Sequence, residues 1–186
     1  MRKFIVAALL CAGVGMSNVA AAELKVGDPA PDFKLQASDG KTYSASSFKG
    51  KQAIVLAWFP QAFTKGCTIE CKSLAEHGDL IKKFDVTYFM ISIDPLEKNT
   101  AFAAEHKADF PLLSDPSKQV AEAYGVMGDF TKYGLGWLPN RWTFYIGKDG
   151  RIQAINKEVK PATSAEDMAA TLQELGVPLA KKVASR

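Results

Sequence analysis

Cysteine is scarce in this 186-residue chain, with three in all: Cys11, Cys67 and Cys71. So few thiols exclude a scaffold stapled by several disulfides. Histidine is scarcer, at two residues, His77 and His106, scattered along the chain. With two nearby thiols they give no zinc spacing, so no metal is expected, and His106 reads as a solvated side chain near a helix end. Nothing matches G-x-G-x-x-G or G-x-x-x-x-G-K-[ST], so no phosphate-cradling loop and no bound cofactor are called for. Internal repeats and low-complexity tracts are missing. Charge of one sign is missing too, because 23 basic residues face 20 acidic ones. That balance argues against nucleic acid or a membrane surface as partner.

The one apolar run outside the globular pattern lies at the start. Met1-Arg2-Lys3 is basic, Phe4 to Met16 is mostly apolar, and Ala20-Ala21-Ala22 offers small residues before Glu23. These are the three parts of a secretory signal peptide, and the apolar core is too short for stable membrane insertion. The expectation is a leader over residues 1–22, a single domain over 23–186, and a periplasmic or secreted location after cleavage near Ala22-Glu23. Leu10 before Cys11 is a poor match to a lipoprotein site. Losing Arg2 and Lys3 brings the 23 basic residues to 21 against 20 acidic ones, and leaves Cys67 and Cys71 as the only cysteines. A pair four residues apart closes too small a loop to stabilise much, so a reactive pair is expected in that oxidising setting.

Along the chain, Phe33-Lys34-Leu35 and Lys41-Thr42-Tyr43 flank an Asp39-Gly40 turn and predict a hairpin. A short helical turn over 44–48 and a buried strand over Ala53 to Phe59 follow. The pattern then turns helical over roughly 67–84. Further strands are expected at 86–93, 110–113, 142–146 and 151–155, with helices at 97–107 and 117–124. Residues 125–138 read as a Gly- and aromatic-rich loop near the site. Ser164 is expected to cap a last helix that Gly176 stops, leaving a basic frayed tail after Pro178. Strands alternating with helices predict an α/β layered fold with a mixed sheet.

Cys67 therefore falls in the first turn of a helix, just past the central strand. Free backbone N–H groups and the positive end of the helix dipole converge there and favour a thiolate. A helix start together with a cation can bring a thiol from about 8.5 to roughly 3.5–7.5. Arg141, just before the strand at 142–146, is the candidate cation, being permanently charged and rich in donors. The Thr64 hydroxyl can accept from the amides of 66 and 67 as an N-cap, or serve a substrate oxygen beside the sulfur. Pro60 ends the strand and can close one side of the pocket against water.

Pro60-x-x-x-Thr64-x-x-Cys67, with Arg141-Trp142-Thr143-Phe144, resembles the signature of the peroxiredoxin family. The lead-in Val26-Gly27-Asp28-Pro29-Ala30-Pro31-Asp32-Phe33 and the Asp39-Gly40 turn resemble it as well. The loop Thr64-x-Gly66-Cys67-Thr68-x-Glu70 is most similar to the bacterioferritin-comigratory, or peroxiredoxin Q, branch of the AhpC/TSA type. The resemblance implies a thioredoxin-like fold, a mixed central sheet flanked by helices. It also implies an antioxidant thiol peroxidase reducing hydrogen peroxide and organic hydroperoxides, recycled by a thioredoxin-like or other dithiol. Carried over by position, Cys67 is the peroxidatic cysteine, Thr64 and Arg141 activate it and orient the peroxide, and Pro60 shields it; Cys71, off the family's position, is expected to resolve it as a disulfide. Lys65 and Phe63 depart from the branch, where a proline and an acid are usual. Cys71 also stands four residues after Cys67 rather than five. Since helical positions four apart keep Cβ atoms about 5–6 Å from each other, and a disulfide needs about 3.8 Å, the first helical turn is expected to unwind. Two other readings are an exported thioredoxin-like thiol–disulfide oxidoreductase and a non-catalytic redoxin-like module. The three residues between the cysteines, and Arg141 where the oxidoreductases usually carry proline, count against the first.

Overall fold

The computed structural model describes residues 23–181; the expected leader, Cys11 and residues 182–186 lie outside them. Strands β1 (Lys34–Ala37) and β2 (Thr42–Ser44) form the anticipated hairpin, with Gly40 at φ 79° supplying its left-handed turn position. Then come β3 (Ala53–Trp58), helix α1 (Lys65–His77), β4 (Val86–Ser92), α2 (Leu96–Glu105), β5 (Leu112–Ser114) and the short α3 (Gln119–Ala123). The chain closes with β6 (Met127–Asp129), β7 (Trp137–Pro139), β8 (Thr143–Ile146), β9 (Ile152–Asn156) and α4 (Ser164–Glu174).

Seven strands make one mixed sheet in the order β2-β1-β5-β4-β3-β8-β9, with β3, β4 and β5 parallel and the other pairings antiparallel. The parallel pairs are those joined through α1 and α2, as parallel strands need a crossover. All of β3 is buried because both of its faces are covered. Its alternating side chains feed two cores. Val55 and Ala57 pack with Leu74 of α1 and with Met168 and Leu172 of α4. Ile54, Leu56 and Trp58 pack with Phe89, Ile91, Tyr124 and Phe144 on the other face.

Five local expectations change. The first helix ends at His77 and gives way to a 3-10 turn over Gly78–Leu80 instead of running to 84. Only glycine fits at 78, since a Cβ there would lie 2.5 Å from the Tyr88 hydroxyl oxygen. Residues 125–138 contain the two-stranded β6–β7 ladder, pairing Met127 with Pro139 and Asp129 with Trp137. Strands of three residues are too short to show a period, and Gly134 and Gly136 turn between them at φ 74° and 70°. Thr163, not Ser164, precedes α4, and the Ser164 hydroxyl points at Glu70. The tail is held through Ala180, because Asp85 N–H donates to the Pro178 carbonyl (2.7 Å) and Ala180 N–H to that of Lys83 (2.8 Å). His106 is not solvated: its side chain is 7% exposed and meets the Phe102 ring edge-on at 4.8 Å.

Candidate active site

The C-terminal end of β3 delivers the chain into the loop of residues 60–64, and α1 begins at Lys65. Thr64 takes the extended conformation (φ −84°, ψ 154°) that a residue preceding a helix needs, and its carbonyl accepts the Thr68 N–H at 2.9 Å. Its hydroxyl does not cap the helix amides. It donates to the Gln61 carbonyl at 2.9 Å, so the nearer loop carbonyl takes the proton and the oxygen is left as an acceptor. Pro60 is half-buried at the strand end. Cys67 is the third residue of α1 and fully buried, among the first-turn N–H groups that lack helical partners.

Arg141 arrives from the opposite direction. Because β8 runs antiparallel to β3, with Ala57 across from Thr143, the start of β8 lies beside the end of β3. The Trp58 N–H donates to the Trp142 carbonyl at 2.8 Å and fixes that juncture. From there the guanidinium reaches α1, and its Nη2 donates to Cys67 Sγ at 3.1 Å. Gly66 keeps the approach open: a Cβ there would sit 3.2 Å from Nη2.

Nη1 of Arg141 makes an ion pair with Glu70 Oε2, while Ser164 Oγ donates to Oε1 at 3.3 Å. Burial pushes the Glu70 carboxyl above the usual carboxylate range and outweighs Arg141 and Ser164, which pull it back. Burial also works against the Arg141 charge, but Glu70 and the Cys67 sulfur outweigh it and raise its pKa. The sequence pattern by itself assigns Glu70 no role. Its signal was the three-residue spacing from Cys67, which places both on one helix face. Cys71, one turn further on, is fully buried with a free thiol. Burial first, then Glu70 and Cys67, push that thiol up to about 12, so it is neutral in the folded helix. Cys67 is also free; the helix keeps the two unbridged.

A mixed sheet that presents one buried sulfur at a helix start, with a guanidinium on it, defines a thiol-based redox enzyme. Residues 26–155 match the AhpC/TSA family. The chain is 36% identical over 138 residues to peroxiredoxin Bcp of Escherichia coli (strain K12), covering 74% of this chain and 88% of that one. It is 32% identical over 161 residues to the chloroplastic peroxiredoxin Q of Populus jackii, covering 86% and 73%. Among solved structures, peroxidoxin BcpB of Mycobacterium tuberculosis superposes with a TM-score of 0.72 at 29% identity, over 82% of this chain and 98% of that one. The chain belongs to the AhpC/TSA family, on a thioredoxin-like fold. It is a thiol peroxidase of the peroxiredoxin kind, which sets aside the oxidoreductase and non-catalytic readings. Among the described residues, no helix is long and apolar enough to cross a membrane.

Proposed function

We propose that Cys67 is the peroxidatic residue and that it reduces hydrogen peroxide and organic hydroperoxides, with Arg141, Thr64 and Pro60 completing the site. The observation that carries this is the 3.1 Å contact from Arg141 Nη2 to Cys67 Sγ at the start of α1. The Cys67 thiolate attacks one peroxide oxygen in line with the O–O bond. That bond breaks, the sulfur becomes a sulfenic acid, and the other oxygen leaves as water or alcohol after taking a proton. Arg141 and the amides at 66–67 stabilise the charge moving along the S–O–O axis. Thr64, its own proton committed to Gln61, accepts from the peroxide O–H and so orients it. Pro60 has no N–H to offer and limits water on its side.

The Cys71 thiol then condenses with the Cys67 sulfenic acid, releasing water and forming a disulfide that an external thioredoxin-like or other dithiol reduces. The full-length protein is exported, cleaved near Ala22-Glu23, and works in the periplasm or outside the cell.

Stopped-flow oxidation with hydrogen peroxide and an organic hydroperoxide, followed by intact-mass analysis, tests the scheme. Cys67→Ser is expected to abolish turnover; a variant that still turns over removes Cys67 as nucleophile. Arg141→Ala is expected to slow the peroxide step by about 10²–10³, the usual cost of one transition-state donor. Unaltered second-order kinetics would take Arg141 out of the mechanism.

A further inference from the structure

Asp94 lies two residues beyond the end of β4, outside the signature that names the site, and is 6% exposed. Parallel neighbours end at the same edge of a sheet, so the segment after β4 meets the loop after β3. There Asp94 Oδ2 accepts the Ala62 N–H at 2.8 Å. Among the described residues, no other side chain from outside the loop hydrogen-bonds residues 60–64. The carboxylate is itself fixed on several sides. Ser92 Oγ donates to Oδ2 at 3.0 Å, Lys98 Nζ pairs with Oδ1 at 2.7 Å, and the Asp94 N–H donates back to Ser92 Oγ at 3.2 Å. Behind Ser92 stands Asn99, fully buried, whose amide reaches Ser92 Oγ, the Leu113 carbonyl and Ser114 Oγ at 2.9–3.1 Å.

The loop needs such an anchor. Phe63, next to Ala62, holds φ 68°, a left-handed conformation that a bulky residue resists. Strained backbone persists only where its surroundings over-determine it. The same β4–α2 unit supplies the second hold, because Phe102 of α2 meets the Phe63 ring edge-on at 5.1 Å. Thr64 comes next, and the Gln61 carbonyl that takes its proton lies on the other side of Ala62.

We infer that Asp94 is a positioning residue for peroxide reduction: by holding the Ala62 N–H it fixes the strained loop that aims the Thr64 oxygen beside the Cys67 sulfur. This rests on the roles given above to Cys67 and Thr64. Alignment matters for a peroxide, where sulfur and both oxygens must lie in line. Iodoacetamide is also attacked in line, but it has no peroxide O–H for the Thr64 oxygen to hold, so its rate reports access to the buried thiolate rather than that contact. A misplacement of about 1 Å costs up to about a hundredfold in rate.

Two rates are measured on the reduced protein at one pH: Cys67 oxidation by hydrogen peroxide and Cys67 alkylation by iodoacetamide. Asp94→Ala is expected to slow oxidation by about tenfold or more while alkylation stays level or rises, since a released loop uncovers the buried sulfur. Asp94→Asn keeps an oxygen for the Ala62 N–H and is expected to recover most of the oxidation rate. Lys98→Met, which removes the ion pair but leaves the clamp, stays near wild type. If Asp94→Ala does not fold, Asp94→Ser is compared in its place, since its hydroxyl is too short to reach the loop. Oxidation within about twofold of wild type in the Ala or Ser variant overturns the inference, as does an equal fall in both rates. Thr64→Val separates the layers. If it leaves oxidation unchanged, the role of Thr64 and this inference fail together. If it slows oxidation while Asp94→Ala does not, only the inference about Asp94 fails.

Discussion

Glu70 sits fully buried between a guanidinium and a hydroxyl. Its contribution is to hold Arg141. One side of the guanidinium is committed to the carboxylate, so the other is presented to Cys67. A charge left alone in such a place is costly, and removing one partner of a buried pair commonly costs about 3–5 kcal/mol. Glu70→Ala is therefore expected to lower unfolding stability by about 3 kcal/mol, read by urea denaturation, and to slow Cys67 oxidation because Arg141 loses its orientation. Glu70→Gln, which still offers an acceptor, is expected to lose less of both. The sequence supplied the types at this site, Cys67, Thr64, Arg141 and Pro60, because a signature with fixed spacing survives without coordinates. It placed none of Glu70, Ser164 and Asp94 at the site, because each acts there through contacts between residues 32 to 94 positions apart.

Helix α1 carries both cysteines on one face, and that regularity is what keeps them apart. Bridging them requires the first turns to unwind, which takes Glu70 away from Arg141 and Ser164. The Cys71 thiol adds a pH dependence to that step. Its pKa is about 12 when folded, against about 8.5 for a free thiol. A raised thiol pKa stabilises the helix fully below about 8.5, and the contribution is lost as pH rises towards the folded value. Disulfide formation after a single peroxide pulse is thus expected to quicken as pH rises above about 8.5, while wild type at neutral pH shows the bridge by intact mass. Cys71→Ser is expected to stop at the sulfenic acid and to over-oxidise with excess peroxide. A peroxide-treated wild type with no intramolecular bridge would leave Cys67 working alone.

Over the whole molecule, the site depends on one strand buried on both faces. β3 carries Val55 and Ala57 towards α1 and α4, and Leu56 and Trp58 towards the opposite core. Its end is therefore a fixed point from which the loop and α1 start. Leu74, fully buried under α1, joins that helix to the sheet. Leu74→Ala is expected to cost about 2–5 kcal/mol, lowering the thermal midpoint, and to loosen the helix start along with the core. The alternating strand and helix pattern, the Asp39-Gly40 turn and the stop at Gly176 were all legible, because each is a local preference of chain geometry. The β6–β7 ladder, the end of α1 at His77 and the pairing of Pro178 and Ala180 with the segment 83–85 were not. The last depends on neighbours far along the chain, while three-residue strands and a 3-10 turn are too short to leave a period.

The sequence by itself determined the fold class and the chemical types at the site, since hydrophobic period and motif spacing are written along the chain. Only the tertiary structure decided which atoms meet. It put a guanidinium on the sulfur, a buried carboxylate and hydroxyl behind the guanidinium, and an aspartate under the loop. The reason is physical: a hydrogen bond is set within a few tenths of an ångström by packing on both sides of a sheet, and no one-dimensional pattern encodes that distance.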